Sequence, residues 1–179
     1  YFIAYGIMKQ DLTVSNVHSI DLEQADSKIF EVLDTLQVKY KIGEEGLYIR
    51  KGIHGKEGFS IDGSTCIDLV PTLCFIAAYL PFSSEIKNIK KLRYKECDRL
   101  SETFNILEKF NVNFTYDEIS DSLFINGGTS CVSFTECLTQ ADHRMIMLTS
   151  LFLKYNGGGV VEPSIQVSKS FPNFFVYFK

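Results

Sequence analysis

The amino-acid sequence repeats itself at an offset of 74 residues. Seven of the thirteen positions from 30 to 42 are apolar and fall on apolar positions from 104 to 116. The pairs are Phe30 with Phe104, Val32 with Ile106, Leu33 with Leu107, Leu36 with Phe110, Val38 with Val112, Tyr40 with Phe114 and Ile42 with Tyr116. In each copy, apolar residues three and four apart predict a helix, and the segments after it predict two strands. The repeated element is therefore helix, strand, strand.

A second apolar helix and a strand precede each of these elements. The segment YFIAYGIMKQDLTVSNV at the start of the chain parallels CFIAAYLPFSSEIKNI at an offset of 72 to 73. A third, shorter copy follows, with a helix from Arg144 to Tyr155, a strand from Gly159 to Glu162 and a helix from Ser168 to Phe178. The sequence thus predicts two βαβαββ-like units and a truncated third.

The segment from Leu69 to Leu80 is apolar on nearly every side, whereas a helix at the surface would be apolar on one side only. This pattern predicts helices inside and sheets outside. Three copies of about 70 residues are too long for the common solenoids, which favours a closed pseudo-threefold arrangement. We expect residues 1–179 to form a single α/β domain, an inside-out barrel of repeated βαβαββ units.

Composition excludes several classes of partner. The net charge is −4 and no block of five basic residues occurs, so neither nucleic acid nor an anionic membrane surface is an expected partner. The longest apolar run, Cys74 to Phe82, is far shorter than the ~20 residues of a membrane helix, so the chain is expected to be soluble.

The five cysteines form no C-x-x-C pair and their number is odd, which favours a reducing compartment, the cytoplasm. The three histidines lie far from one another and from any close cysteine pair, so no metal is expected. The chain begins without methionine in an apolar stretch, and we expect it to be a piece of a longer protein.

Cations lie at three expected helix starts, where the helix dipole favours acidic or neutral side chains. Lys95 and Arg99 bracket one start, near Cys97; Arg144 lies at the second, and Lys169 at the third, just before a proline. If the repeats bring these starts to one end of the domain, cations and backbone N–H groups converge on an anion such as a phosphate or carboxylate. The alternative is that each cation is an ordinary surface residue.

Two carboxylates accompany the cations. Asp68 precedes the buried helix, and Glu96 follows Lys95. A carboxylate among cations stays ionised, as a general base requires. Either residue could instead be a helix cap or a partner of the helix dipole, and for Asp68 alone the capping interpretation is favoured.

Three further features have ordinary explanations. His143, a conceivable proton shuttle, is interpreted as structural. Cys97 lies in a basic stretch that could lower its pKa, but an incidental thiol is the preferred interpretation. The run Gly157 to Gly159 follows a helix and precedes a strand, the reverse of a P-loop, and is interpreted as a helix stop.

Four blocks of sequence resemble the signature blocks of the 5-enolpyruvylshikimate-3-phosphate synthase (EPSP synthase) family, in the same order and at similar spacing. They are IDLVPTL (Ile67 to Leu73), LRYKECDRL (Leu92 to Leu100), ADHRMIM (Ala141 to Met147) and SKSFPNFF (Ser168 to Phe175). The resemblance covers essentially the whole chain, which corresponds to the carboxy-terminal domain of such an enzyme. It implies the same fold of βαβαββ units with helices inside.

The resemblance also implies an activity. Members transfer the enolpyruvyl group of phosphoenolpyruvate to the 5-hydroxyl of shikimate 3-phosphate and release phosphate, in the pathway to chorismate and aromatic amino acids. No metal or organic cofactor is implied. The same cations that bind phosphoenolpyruvate would contact glyphosate in susceptible members.

The resemblance assigns roles to seven residues of this sequence, of which two are carboxylates and five are cations. Asp68 resembles the proton acceptor at the attacking hydroxyl, and Glu96 resembles the proton relay at the methylene carbon of phosphoenolpyruvate. Lys95 resembles a lysine that contacts shikimate 3-phosphate. The residues that resemble phosphoenolpyruvate-binding cations are Arg99, Arg144 and Lys169. Lys91 stands at a substrate-contact position where many members have asparagine.

Other groups of the family's cleft lie in an amino-terminal domain that has no counterpart in this sequence. That domain is therefore an expected partner, and the isolated chain is expected to be inactive.

Two alternative functions remain. One is a noncatalytic anion-binding domain of the same fold. The other is UDP-N-acetylglucosamine enolpyruvyl transferase, whose family does not carry the KECDRL and DHRM blocks in this form.

Overall fold

A computed structural model describes residues 1–133 and 136–178. These residues form three successive units, each with its own sheet. The first unit consists of α1 (Phe2–Lys9), β1 (Leu12–Ser15), α2 (Lys28–Thr35), β2 (Tyr40–Gly43) and β3 (Gly46–Ile49). Its three strands pair antiparallel in the order β1-β3-β2.

The second unit has the complete βαβαββ order. It consists of β4 (Ser60–Asp62), α3 (Val70–Tyr79), β5 (Ser84–Lys87), α4 (Arg99–Lys109), β6 (Phe114–Asp117) and β7 (Ser122–Ile125). The strand order is β4-β5-β7-β6, with only β4 and β5 parallel. Tyr40 lies opposite Ile49 in the first unit, and Phe114 lies opposite Ile125 in the second. Because Tyr40 and Phe114 are 74 positions apart, the pairing confirms the repeat.

The third unit is shorter. It consists of β8 (Glu136–Leu138), α5 (His143–Tyr155), β9 (Val160–Glu162) and α6 (Phe174–Tyr177), and β8 pairs parallel with β9. After α5, the N–H of Gly158 donates to the carbonyl of Leu153 at 2.8 Å, so the glycine run ends the helix as expected.

The end of the third unit differs from the sequence prediction. One helix was expected from Ser168 to Phe178, but the structure has a 3-10 helix at Ile165–Lys169 and then the short α6. Pro172 separates them. A proline removes a backbone donor and disfavours the α conformation at the residue before it, which accounts for the interruption.

The helices lie inside and the sheets outside, as predicted. Every residue of α3 from Val70 to Ala78 is buried, and so is the stretch of α5 from Met145 to Leu153. Helices α1, α3 and α5 pack on one another. Phe152 of α5 is central to this packing. Its ring contacts that of Phe75 of α3 edge-on, with the ring centroids 5.1 Å apart, and stacks on the ring of Phe110, with the centroids 4.7 Å apart. The aromatic core thus joins the second and third units.

None of the helices in the described part of the chain combines the length and the apolar character that a membrane span requires.

Two adjacent glycines provide a test of this packing. Both Gly127 and Gly128 have positive φ, at 73° and 67°. A Cβ on Gly127 would lie 2.4 Å from the carbonyl oxygen of Leu80 and 2.5 Å from that of Phe82, whereas a Cβ on Gly128 would meet nothing within 4 Å. The first glycine is therefore required by close packing at the end of α3, and the second by backbone conformation alone.

We expect Gly128→Ala to lower the free energy of unfolding by about 1–2 kcal/mol, the usual cost of a left-handed conformation. Gly127→Ala carries that cost and also displaces backbone, which adds about 1–3 kcal/mol. Urea unfolding of the two variants and the parent chain measures the difference. Equal midpoints for the two variants would contradict the close packing.

Candidate functional site

Asp68 lies two residues before α3, and three cations contact it. Its Oδ1 accepts a hydrogen bond from Arg99 Nη1 at 2.9 Å and lies 3.3 Å from Lys95 Nζ. Its Oδ2 accepts from Arg144 Nη2 at 3.2 Å. The N-cap position of α3 is Leu69, and no side chain caps this helix. The capping interpretation of Asp68 is therefore wrong, because its carboxylate is engaged by cations from two other helix starts.

Arg99 is the first residue of α4, and its side chain is only 1% exposed. Its Nε donates to Asp142 Oδ2 at 2.8 Å, and its Nη2 donates to Asp142 Oδ1 at 3.4 Å. The Nη2 atom also contacts Glu96, and Nη1 contacts Asp68. A buried guanidinium is costly unless it is paired, and here carboxylates surround it. Arg99 is therefore fixed in position.

Asp142 is the residue that sequence reasoning did not include in the site. Its carboxylate caps α5 by accepting from the backbone N–H of Arg144 at 2.8 Å, and its side chain is 1% exposed. Burial alone would raise the pKa of Asp142, but the hydrogen bonds from Arg99 and from the Arg144 backbone hold this pKa below its usual range. One signal could have found it: Asp142 is 74 positions after Asp68, the offset of the repeat.

Lys95 and Arg144 present their charged ends at the surface of the site. Both side chains are partly exposed. Arg144 uses two N–H groups on Asp68, one to the carboxylate and one, from Nη1, to the main-chain carbonyl at 3.2 Å. A guanidinium has five such donors, so Arg144 has further capacity for an anion. Lys95 and Arg144 are thus accessible where Arg99 is buried.

Glu96 is the exposed carboxylate of the cluster. Its side chain is 58% exposed and contacts Arg99 Nη2. It does not cap α4, because Asp98 occupies the N-cap and accepts from the backbone N–H of Ser101 at 3.0 Å. The helix begins at Arg99, two residues later than the expected start near Cys97.

We define the ionic cluster by its six charged residues. They are Asp68, Lys95, Glu96, Arg99, Asp142 and Arg144. Three cations meet three carboxylates, so the formal charges cancel. An anionic ligand must therefore compete with a carboxylate for its cations, and an exposed carboxylate is easier to displace than a buried one.

Lys169 differs from the prediction in its local structure. It is the last residue of the 3-10 helix Ile165–Lys169 and does not begin an α-helix. Phe171, two residues after Lys169, packs on Phe2 of α1. The Lys169 side chain is exposed and makes no ion pair with the described residues.

Lys91 is exposed within the 3-10 helix Lys90–Tyr94 and, like Lys169, has no ion-pair partner in the described ranges. The structure therefore brings Lys95, Arg99 and Arg144 together on Asp68, but it does not bring Lys91 into that cluster.

A cleft of about 390 Å³ adjoins the cluster. Its lining residues come from the first unit, from the segment before α3 and from the start of α5. They are Gln24, Ala25, Asp26, Ser64, Thr65, Ile67, Asp68 and Arg144. Clefts of 300–1,000 Å³ accommodate small ligands, and most of these side chains can donate or accept hydrogen bonds.

Cys97 is not an activated thiol. Partial burial, reinforced by the carboxylate of Asp142, raises the pKa of Cys97 to about 11. The basic stretch therefore does not lower its pKa, and the preferred interpretation as an incidental thiol agrees with this environment. His143, for which a structural role was favoured, is half-buried at the first position of α5.

Within residues 1–133 and 136–178, no group of three or more His, Cys, Asp or Glu side chains is arranged to hold a metal ion. The chemistry available at the ionic cluster is that of carboxylates and cations: proton transfer, and the binding of phosphate or carboxylate groups.

Several solved structures share this fold. EPSP synthase from Acinetobacter baumannii superposes with a TM-score of 0.74 at 20% identity, covering 97% of this chain and 42% of that one. The enolpyruvyl transferase NikO from Streptomyces tendae superposes with a TM-score of 0.65 at 14% identity, covering 98% of this chain and 40% of that one. These likenesses establish the enolpyruvyl transferase fold.

Curated relatives match along the whole chain. A 3-phosphoshikimate 1-carboxyvinyltransferase of Clostridium botulinum (strain Alaska E43) is 29% identical over 100% of this chain and 41% of its own length. The protein of the same name from Methanococcus aeolicus is 32% identical over 97% of this chain and 40% of its own length. The chain thus spans about two-fifths of these relatives.

The family model described as EPSP synthase (3-phosphoshikimate 1-carboxyvinyltransferase) matches residues 1–177. The matched region includes the ionic cluster and the second and third units, which supply its residues. The chain therefore belongs to the EPSP synthase family.

Proposed function

We propose that this chain is the carboxy-terminal domain of an EPSP synthase, which transfers the enolpyruvyl group of phosphoenolpyruvate to the 5-hydroxyl of shikimate 3-phosphate. The observation that supports this most directly is the convergence of Lys95, Arg99 and Arg144 on the carboxylate of Asp68. Both substrates carry phosphate and carboxylate groups, which such cations bind.

The proposed reaction has two steps. First, the 5-hydroxyl oxygen adds to C2 of phosphoenolpyruvate while its proton leaves to a base and C3 gains a proton, giving a tetrahedral intermediate. Then the bond from C2 to the phosphate oxygen breaks and C3 loses a proton, which yields the enolpyruvyl ether and inorganic phosphate. The first step requires a base at the attacking hydroxyl and a proton donor at C3, and the second requires a base at C3.

Asp68 is the proposed base at the hydroxyl. Its carboxylate is 35% exposed and borders the cleft, so a substrate hydroxyl can reach it. Its contacts with cations from α4 and α5 orient it, which is what a positioned base needs.

Glu96 is the proposed proton relay at C3. It is the more exposed carboxylate and is joined to the cluster through Arg99. Its carboxylate can turn toward a substrate without leaving the guanidinium of Arg99 unpaired, because Arg99 keeps Asp68 and Asp142 as partners.

The proposed binding groups for phosphoenolpyruvate are Arg99, Arg144 and Lys169, and Lys95 is proposed to contact shikimate 3-phosphate. Lys91 is retained as a peripheral candidate for the same acceptor, since its exposed ammonium lies four residues before Lys95. Because the cluster is neutral overall, further positive charge from Lys169 would favour an anionic substrate over the resident carboxylates.

A separate amino-terminal domain is the proposed partner. The chain spans about two-fifths of its curated relatives, and its cluster is partly open to solvent. A second domain would form the opposing wall, hold both substrates in line and exclude water. We also propose a cytoplasmic location, consistent with five unpaired cysteines.

The acceptor distinguishes this proposal from its nearest alternative. The curated relatives described above are named for 3-phosphoshikimate, which favours shikimate 3-phosphate over UDP-N-acetylglucosamine. Phosphate release by the full-length protein with phosphoenolpyruvate and each acceptor in turn is the direct test. No release with either acceptor would favour a noncatalytic anion-binding domain.

In the full-length enzyme, we expect Glu96→Gln to lower kcat by about 10²- to 10⁴-fold, with a much smaller change in KM, because the amide cannot relay a proton. Steady-state phosphate release measures both constants. The matched control is Glu118→Gln, since Glu118 is also an exposed glutamate paired with an arginine, Arg93, outside the ionic cluster. An unchanged kcat in Glu96→Gln would remove Glu96 from the mechanism.

The isolated chain is expected to release no phosphate from the two substrates, since it supplies one wall of the cleft. Adding the separately expressed amino-terminal part should restore turnover. Phosphoenolpyruvate binding to the chain alone, measured by calorimetry, should be weak. It should weaken further as the salt concentration rises from 50 to 500 mM, because the Debye length then falls from about 14 Å to about 4 Å and the attraction between the cations and the ligand is screened. Turnover by the chain alone at the rate of the reconstituted pair would show that the active site lies wholly within it.

A further inference from the structure

We propose that Asp142 is a positioning residue of this site: its carboxylate fixes the guanidinium of Arg99 so that the Nη1 side faces Asp68 and the bound anion. This inference rests on the proposed function of the site, in which Arg99 contacts phosphoenolpyruvate. The geometry of the ionic cluster supports it in three ways.

First, Asp142 and Arg99 form a two-point contact. Two carboxylate oxygens accept from Nε and Nη2, at 2.8 and 3.4 Å. Contact at two points fixes the plane of the guanidinium as well as its distance, which a single hydrogen bond does not. The remaining corner, Nη1, is thereby directed at Asp68, 2.9 Å away.

Second, Asp142 is the partner of Arg99 that an arriving anion cannot replace. The side chains of Asp142 and Arg99 are each 1% exposed, whereas those of Asp68 and Glu96 are 35% and 58% exposed. Separating a buried pair leaves an uncompensated charge, while an exposed carboxylate that leaves is solvated by water. An anion therefore competes with Glu96 or Asp68, and Asp142 stays in place.

Third, Asp142 is itself held from two sides. On one side it caps α5 through the Arg144 backbone N–H. On the other, Glu102 of α4 accepts from the Thr139 hydroxyl at 2.7 Å and from the backbone N–H of Gln140 at 3.0 Å. Glu102 is buried and lies one turn after Arg99, so α4 holds both the arginine and the segment that carries its partner.

Asp142 is too deeply buried to contact a substrate, since its side chain is 1% exposed. Besides Arg99 and the Arg144 backbone, the Cys97 thiol lies 3.8 Å from Oδ2, and the charges of Asp142 and His143 also interact. Asp142 does not border the adjoining cleft. It therefore acts through Arg99 and is not itself a catalytic residue.

The test uses Asp142→Asn in the full-length enzyme. Asparagine is as good an N-cap as aspartate, so α5 keeps its cap, but the charged two-point contact with Arg99 is lost. We expect kcat/KM for phosphoenolpyruvate to fall by about 10- to 100-fold, the usual effect of losing a charge-assisted hydrogen bond. The matched control is Asp98→Asn, which changes the cap of α4 in the same way and should leave kcat/KM within about twofold, the scatter expected for a surface change.

A double-mutant cycle with Arg99→Lys separates positioning from general structure. If Asp142 acts through Arg99, Asp142→Asn should lower kcat/KM by less than about threefold in the Arg99→Lys background, since the two effects are then coupled. Fully additive effects, or a folded Asp142→Asn enzyme with unchanged kcat/KM, would overturn the proposal. An Arg99→Lys enzyme with unchanged kcat/KM would instead show that Arg99 has no role in binding the substrate. The proposed role of Arg99 and the positioning role of Asp142 would then both fail.

If Asp142→Asn does not accumulate as folded protein, Glu102→Gln replaces it. This variant keeps Asp142 and its cap but weakens the hold on Thr139 and Gln140. We expect kcat/KM for phosphoenolpyruvate to fall by about threefold or more, on the order of a weakened hydrogen bond, with the same coupling to Arg99→Lys. No fall in a folded Glu102→Gln enzyme would overturn the proposal.

Discussion

The buried guanidinium of Arg99 joins the starts of three helices from two units. Arg99 begins α4, its Nε and Nη2 contact the carboxylate that caps α5, and its Nη1 contacts Asp68 ahead of α3. A charge in the interior is stable only when it is paired, so α4 and α5 can dock closely only with both Arg99 and Asp142 in place. The geometry of the site therefore depends on this ion pair between α4 and α5, because losing either partner leaves the other charge buried and unpaired.

The same network explains why cations can occupy helix starts. The amino end of a helix carries partial positive charge, so a cation there is unfavourable unless an anion compensates it. Aspartates at the caps of α4 and α5 satisfy the backbone N–H groups, and the carboxylate of Asp68 neutralises the neighbouring cations. The compensation is uneven: Glu96 is exposed and Asp142 is buried. Under the proposed function, this unevenness allows an anionic substrate to replace the exposed carboxylate while the buried one stays in place.

Much of this arrangement could be predicted from the sequence, and the errors have identifiable causes. The repeat located the helices, and cations at their starts pointed to a common site at which Lys95, Arg99 and Arg144 do meet. The capping interpretation of Asp68 was wrong because an aspartate just before a helix is usually a cap, and only the arrival of α4 and α5 supplies other partners. The single helix expected from Ser168 to Phe178 was wrong because Pro172, a residue compatible with the first turn of a helix, instead separates a 3-10 helix from α6.

Sequence by itself determined the order of helices and strands, the inside-out layering and the residue types at the helix starts, because these follow from local periodicity and from repetition of the same pattern. Tertiary structure alone decided which carboxylate is buried. Asp68 and Asp142 lie 74 residues apart, and each shortly precedes a buried helix in the sequence, so the sequence gives no measure of which one is buried. The difference arises because the side chain of Arg99 from α4 packs against the start of α5 and closes over Asp142, while Asp68 stays beside an open cleft. The burial of a side chain depends on which elements pack against it, and the local sequence at a helix start does not specify those elements.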